Sequence, residues 1–294
     1  MDILNPNPAA GFPQALWLTY WAIMDYPDLN RDEILALVVP EAMRAHTPGD
    51  GAHVKRALAG LVEFRLVERS GEGLHSCAKV DSPHAFLRLL RNRLVRPPDE
   101  LGDGFEGAPD VRAGLIWLLR QSPTEPLDYS VNVAPVMPTK LFTNGAHWNT
   151  FRSWCEALGF GRPALTSMVT GSGQKVTGAK VVPDPTVAVI DAIRYPFGEP
   201  LAKGAQIPIG SLLEFLRNEL PVLPGHPSAT YPGLGDDSDG GVRALGLALA
   251  SAEERHLLTM TYQSDPSGVM ALPDAQEHGK PRYVSAVTIT KDTR

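Results

Sequence analysis

The chain has 294 residues, 43% of them hydrophobic, a formal net charge of −6 and two cysteines. That length and composition suit two or three globular domains, and no apolar run approaches the roughly 18 residues needed to cross a bilayer. A pI of about 5.8 excludes a surface coated in positive charge, and Cys77 and Cys155, far apart and without CxxC spacing, indicate neither a disulfide framework nor a cysteine zinc site.

The opening Met1-Asp2-Ile3-Leu4-Asn5 lacks the basic and apolar regions of a secretory signal, so a cytoplasmic location is expected. A first helix is predicted from about Pro13 to Met24, where Leu16, Tyr20, Ile23 and Met24 recur at helical spacing and Trp17 and Trp21 widen the apolar stripe. Asn30 followed by Glu33 has capping-box spacing ahead of Ile34, Leu35, Leu37 and Val38, and Pro40 ends that second helix. After Thr47-Pro48-Gly49-Asp50 comes a third helix, with Val54, Leu58, Leu61 and Val62 on one face and His53, Lys55, Arg56 and Ala59 mostly on the other. Leu66 to Arg69, the Ser70-Gly71-Glu72-Gly73 turn and Leu74 to Cys77 read as a β-hairpin. Three helices and a hairpin make a winged helix, the helix-turn-helix plan with a β-wing added.

Pro83 to Val95 is predicted as a further amphipathic helix through Phe86, Leu87, Leu90 and Leu94, and Arg96 to Pro109 as a linker. The order then recurs. Asp110 is placed as the cap of a helix through Val111, Leu115, Leu118 and Leu119, and Asn144 as the cap of another in which Trp148, Phe151, Cys155 and Leu158 share a face. Gly159 stands where a C-cap glycine belongs, and segments 164–168 and 178–182 flank a Gly171-Ser172-Gly173 turn. A third pass has helices at 186–193, 209–220 and 242–252, with 257–262 and 283–289 able to pair as strands. The expected fold is mainly α with small β-hairpins (α+β), in tandem winged-helix units at 1–96, 97–183 and 184–294, with strands only in the hairpins. A two-unit division is the alternative, since no residue-level repeat recurs at a fixed period.

Patterns that carry catalysis are not met. Gly171-Ser172-Gly173 lacks the GxSxG of a nucleophile elbow, no GxxxxGK[ST] occurs, and Gly233-x-Gly235 opens no βαβ unit. Asp236, Asp237 and Asp239 lack the glycine and closing glutamate of a calcium loop, and the eight histidines show no metal-ligand spacing. His75 and Cys77 share a hairpin face but suit packing or surface better than zinc, and Cys155 reads as a small core residue. The helical spacing of Trp148, Phe151 and Trp154 favours a core or subunit interface over base stacking. We therefore expect no catalysis, no metal and no cofactor.

Between Lys55 and Arg96, nine basic residues face four acidic ones. The candidates for contact with DNA are His53, Lys55 and Arg56 on the third helix, Arg69 on its wing, and by analogy Asn149 and Arg152 with Lys175 and Lys180 on the second wing. A merely solvated helix face is the alternative at each position.

The Ile3-Leu4-Asn5-Pro6 opening, the Asn144-x-x-x-Trp148-Asn149 run leading to Trp154, and Leu158-Gly159-Phe160-Gly161 resemble the small winged-helix proteins encoded in bacterial phage-defence and DNA-modification islands, those of the 7-deazapurine-in-DNA system being nearest. The resemblance covers most of the layout. It implies an accessory subunit that works beside a helicase, nuclease or modifying enzyme, and carries over no catalytic residue. Two partner classes follow: duplex DNA held by the winged helices, or, in the alternative, other protein subunits docked on the same modules, with the aromatic-rich first helix as interface.

Overall fold

The computed structural model describes residues 3–4, 11–41, 51–71, 73–102, 104–105, 107–137, 141–164, 180–233, 239–264, 268–273 and 280–291. It is a mixture of helices and small antiparallel sheets, and the chain divides into two compact units, one of residues 1–113 with 141–158, the other of 114–140 with 159–294. Among the described residues no helix is long and apolar enough to cross a membrane.

The first unit begins with α1 (Pro13–Asp25), α2 (Arg31–Val38) and α3 (Ala52–Glu63), then the hairpin of β1 (Val67–Ser70) and β2 (Gly73–Ser76). Local chemistry sets these boundaries. The Asn30 carboxamide accepts from the Asp32 and Glu33 amides while the Glu33 carboxylate accepts from the Asn30 amide, closing the predicted capping box. Gly51 starts α3 at φ 72°, a backbone conformation that favours glycine, and a Cβ there would fall 2.7 Å from Leu35 Cδ1, which would have to shift. β1 and β2 pair with Arg69 opposite Leu74. Leu16, Tyr20 and Ile23 of α1, Ile34 of α2, Leu58 and Leu61 of α3 and Leu74 of β2 are all buried, and form the core that the periodicity predicted. Full burial of each large aliphatic side chain contributes about 1.5–3 kcal/mol.

Next comes α4 (Pro83–Val95), capped by the Ser82 hydroxyl, which accepts from the Ala85 amide. α5 (Pro109–Leu118) follows, its residues from Gly114 onward counted to the second unit, and then α6 (Gly145–Ala157), where Asn144 accepts from the first amides. Trp148, Phe151 and Trp154 of α6 are at most 1% exposed, and Phe142 packs 4.8 Å from Phe151. These aromatics are core. Cys155 is buried with them, which pushes its thiol well above the ordinary range and suits a packing role.

In the second unit, β3 (Gly161–Pro163) pairs with β4 (Val181–Pro183), and α7 (Thr186–Arg194) leads to β5 (Gln206–Pro208). The unit continues with α8 (Ile209–Glu219), α9 (Asp239–Glu254), β6 (Leu258–Thr261), β7 (Met270–Pro273), β8 (Pro281–Val284) and β9 (Ala286–Ile289). β6 pairs with β9 as predicted, but β5 pairs with the other edge of β9, giving an antiparallel sheet in the order β5-β9-β6. The expectation of strands only in hairpins is corrected here, because three residues too short to show a period gain their ladder from a partner about 80 positions away. The predicted strand over 283–289 is likewise two strands. The break is at buried Ser285, whose amide donates to the Thr261 carbonyl and whose hydroxyl accepts from the Gln263 amide, so β8 leaves to pair with β7.

Candidate nucleic-acid interface

On α3, the inward face of Val54, Ala57, Leu58 and Leu61 leaves His53, Lys55 and Ala59 exposed and Arg56 half-buried. The Arg56 Nε is itself covered and has no hydrogen-bond partner among the described residues, and the His53 ring lies 5.4 Å from the Phe12 ring at 48°. Arg69 is exposed on β1, the strand that follows α3. The hairpin is held against α1, where the Tyr20 hydroxyl donates to the Ala78 carbonyl just beyond β2. Lys55 and Arg56 thus each stand one turn before Ala59 on the outward side of a helix clamped from behind by its own apolar face.

The remaining candidates are placed differently. Asn149 is exposed and Arg152 half-buried on α6, with the Arg152 Nε 3.9 Å from Glu156. Burial raises the Glu156 carboxyl above its usual range, only partly offset by the Arg152 charge. Lys180 precedes β4 in the second unit and its charge acts on Asp128. Burial alone would push the Asp128 carboxyl up, but the Ser130 hydroxyl and amide, the Val131 amide and Lys180 together bring it below the ordinary value. The Ser130 hydroxyl donates to it at 2.7 Å. Lys175 lies outside the described residues, as does the Gly171-Ser172-Gly173 turn.

The structure also engages part of the local positive excess that the sequence shows. Arg65 donates to the Leu101 carbonyl at 3.1 Å and lies 5.6 Å over the Phe105 ring. Arg91, 5% exposed, donates to the Leu158 carbonyl at 3.0 Å, and Arg96 pairs with Glu100. Of these three only Arg91 is buried, while Lys55, Arg65, Arg69 and Lys79 of the same stretch are exposed. Residue type cannot distinguish an arginine that satisfies a buried carbonyl from one that faces water.

Two motifs acquire a structural reason. Ile3 and Leu4 of the opening are 2% exposed, and the Leu4 amide donates to Asp110 Oδ2 at 2.7 Å. Asp110 stands inside the first turn of α5 rather than before it, its other oxygen accepting from the Val111 amide. The Trp154 indole N–H donates to the Gly11 carbonyl at 3.0 Å. Leu4 and Gly11 are therefore each bonded to a residue more than a hundred positions away. Among the described residues no group of three or more His, Cys, Asp or Glu side chains is arranged to hold a metal ion.

No curated protein and no solved structure matches the chain. A family model described as DpdG-like matches residues 1–266. With nine-tenths of the sequence covered, and with the opening segment, its Asp110 and Trp154 anchors and α6 all inside the match, the chain belongs to the DpdG-like family.

Proposed function

We propose that this chain is an accessory DNA-binding subunit of a bacterial DNA-modification system, without catalysis of its own, that holds duplex DNA through α3 and the β1–β2 hairpin. The observation that carries the reading is the outward side of α3. Lys55 is exposed and Arg56 half-buried on a helix whose opposite face is core, directly followed by a hairpin that exposes Arg69. Membership of the DpdG-like family supports the DNA-modification setting. The order of elements supports winged helices in both units. The first runs helix, helix, helix, hairpin, and the second runs helix, strand, helix, helix, strand, wing, strand with the sheet order that plan produces. The α9 of the second unit is a poor DNA reader by comparison, since Arg243 is exposed at one end of it and Glu254 at the other.

A specific observation favours a second reading, that of a protein adaptor. α1 leaves Leu18 49% and Trp21 48% exposed, with Trp17 stacked on Trp21 at 6.5 Å, an arrangement suited to a partner interface.

Fluorescence anisotropy of a labelled duplex across a salt series separates the two. For about four to six phosphate contacts, log K falls with log salt at a slope of roughly −4 to −5. Lys55→Ala is expected to flatten that slope by about one unit, and the Lys55→Glu, Arg56→Glu double variant to weaken binding without unfolding the protein. Unchanged affinity and slope in the folded double variant would remove α3 as a DNA reader and leave the adaptor reading.

A further inference from the structure

In the second unit a groove opens between α8, the turn that follows it, α9 and β7, and encloses about 390 Å³. That is the size range of specific binding sites. Leu213, Val242, Leu245 and Met270 give it an apolar floor, and Arg217 and Arg243 stand at its walls.

Both cations are available to a partner. Arg217 is fixed in place, since its Nε donates to the Pro224 carbonyl at 3.0 Å. Its guanidinium lies against Gly225, where any Cβ would fall within 2.6–2.8 Å of the guanidinium atoms. Arg243 is exposed. Among the described residues neither guanidinium has a carboxylate partner. The groove also meets an open strand edge. β7 pairs with β8 on one side only among the described residues, so its other edge offers free backbone donors and acceptors. The hairpin that carries this edge is anchored through β8, where Arg282 makes a bidentate pair with Glu253 of α9 and also donates to the Met260 carbonyl at 3.1 Å.

We propose that this groove docks an extended acidic segment of a partner protein by strand addition. Its backbone continues the β7 edge, one apolar side chain fills the floor, and flanking carboxylates pair with Arg217 and Arg243. Alternation along an extended strand places apolar and charged side chains on opposite faces, so one neighbour sinks while the next meets the rim. A nucleic-acid backbone would satisfy the two arginines but leave the apolar floor unfilled, which disfavours it. The proposal is independent of the DNA reading of α3, since all its residues lie in the second unit.

A random dodecapeptide display library, panned on the full-length protein and counter-panned on an Arg217→Gln, Arg243→Gln double variant, tests it. Enriched sequences are expected to carry an apolar residue flanked by Asp or Glu. The leading synthetic peptide is expected to bind the double variant at least tenfold more weakly, to weaken with added salt and to slow amide exchange over 269–273. Should the double variant melt below the wild type through loss of the Pro224 bond, exposed Arg243→Gln alone carries the test, with a loss of at least threefold. Absence of enrichment over the counter-panned variant, or enrichment of basic sequences, overturns the proposal. So does a peptide that a 20-base-pair duplex displaces, with both ligands lost equally in the variants, which would make the groove a nucleic-acid surface.

Discussion

Glu219, at the end of α8, is 6% exposed, yet its carboxylate has an output at the surface. Its two oxygens accept from the Phe197 and Gly198 amides, each at 2.8 Å. They thereby fix the segment after α7 in which Tyr195 and Phe197 are more than half exposed. Hydrogen bonds to a charged acceptor each contribute about 1.5–3 kcal/mol. Phe197 and Gly198 are both exposed, so water recovers roughly half of that when the acceptor is removed, and Glu219→Ala is expected to cost about 1.5–3 kcal/mol. For a domain of this size that corresponds to a fall in Tm of about 3–10 °C. Glu219→Gln keeps one good acceptor and should lose about half as much. The decisive measurement is residue-resolved hydrogen exchange, because a two-unit protein need not melt in one step. The Phe197 and Gly198 amides should lose protection in Glu219→Ala while those in the middle of α9 keep theirs. If both amides stay protected and the Tm moves by less than a degree, the carboxylate is not the anchor and the reasoning fails.

Other outcomes follow from the same geometry. Leu58→Asp forces an unpaired charge into the core of the first unit and is expected to unfold it, seen as lost cooperativity in far-UV circular dichroism, whereas Lys55→Glu, at an exposed position, should melt like the wild type. Gly51→Ala meets both a left-handed backbone and Leu35 at 2.7 Å, and should cost about 1–3 kcal/mol in denaturant titration. For Glu253, burial favours the neutral form, but hydrogen bonds from Arg282 and the Met260 amide and the Arg282 charge outweigh it, so its pKa lies below the ordinary value. A depressed carboxyl stabilises the fold above its unfolded pKa of about 4.3, and that contribution disappears as pH falls through the lower folded value. Wild type should therefore lose stability between pH 5 and 3 more steeply than Glu253→Gln in pH-resolved melting.

Much of the first unit was legible in the sequence because its instructions are local. Asn30 with Glu33, Asn144 before α6 and Gly159 after it act on backbone groups within a turn of themselves, so spacing alone located those helix ends. The aromatic stripe of α6 and the apolar face of α3 likewise announced their burial through period 3.6, and the outward position of Lys55 followed as the complement. What tertiary structure alone decided are pairings across long stretches of chain. β5 found β9, Asp110 received the Leu4 amide, Trp154 reached Gly11, and Arg91 was drawn to the Leu158 carbonyl. The groove joins Arg217 and Arg243 to a strand edge that neither residue's neighbours encode. A periodic pattern reports which face of an element avoids water, but it does not name the partner that covers that face. A polar side chain's role depends on whether folding leaves it beside an unsatisfied carbonyl or beside solvent, and only the packed chain determines that.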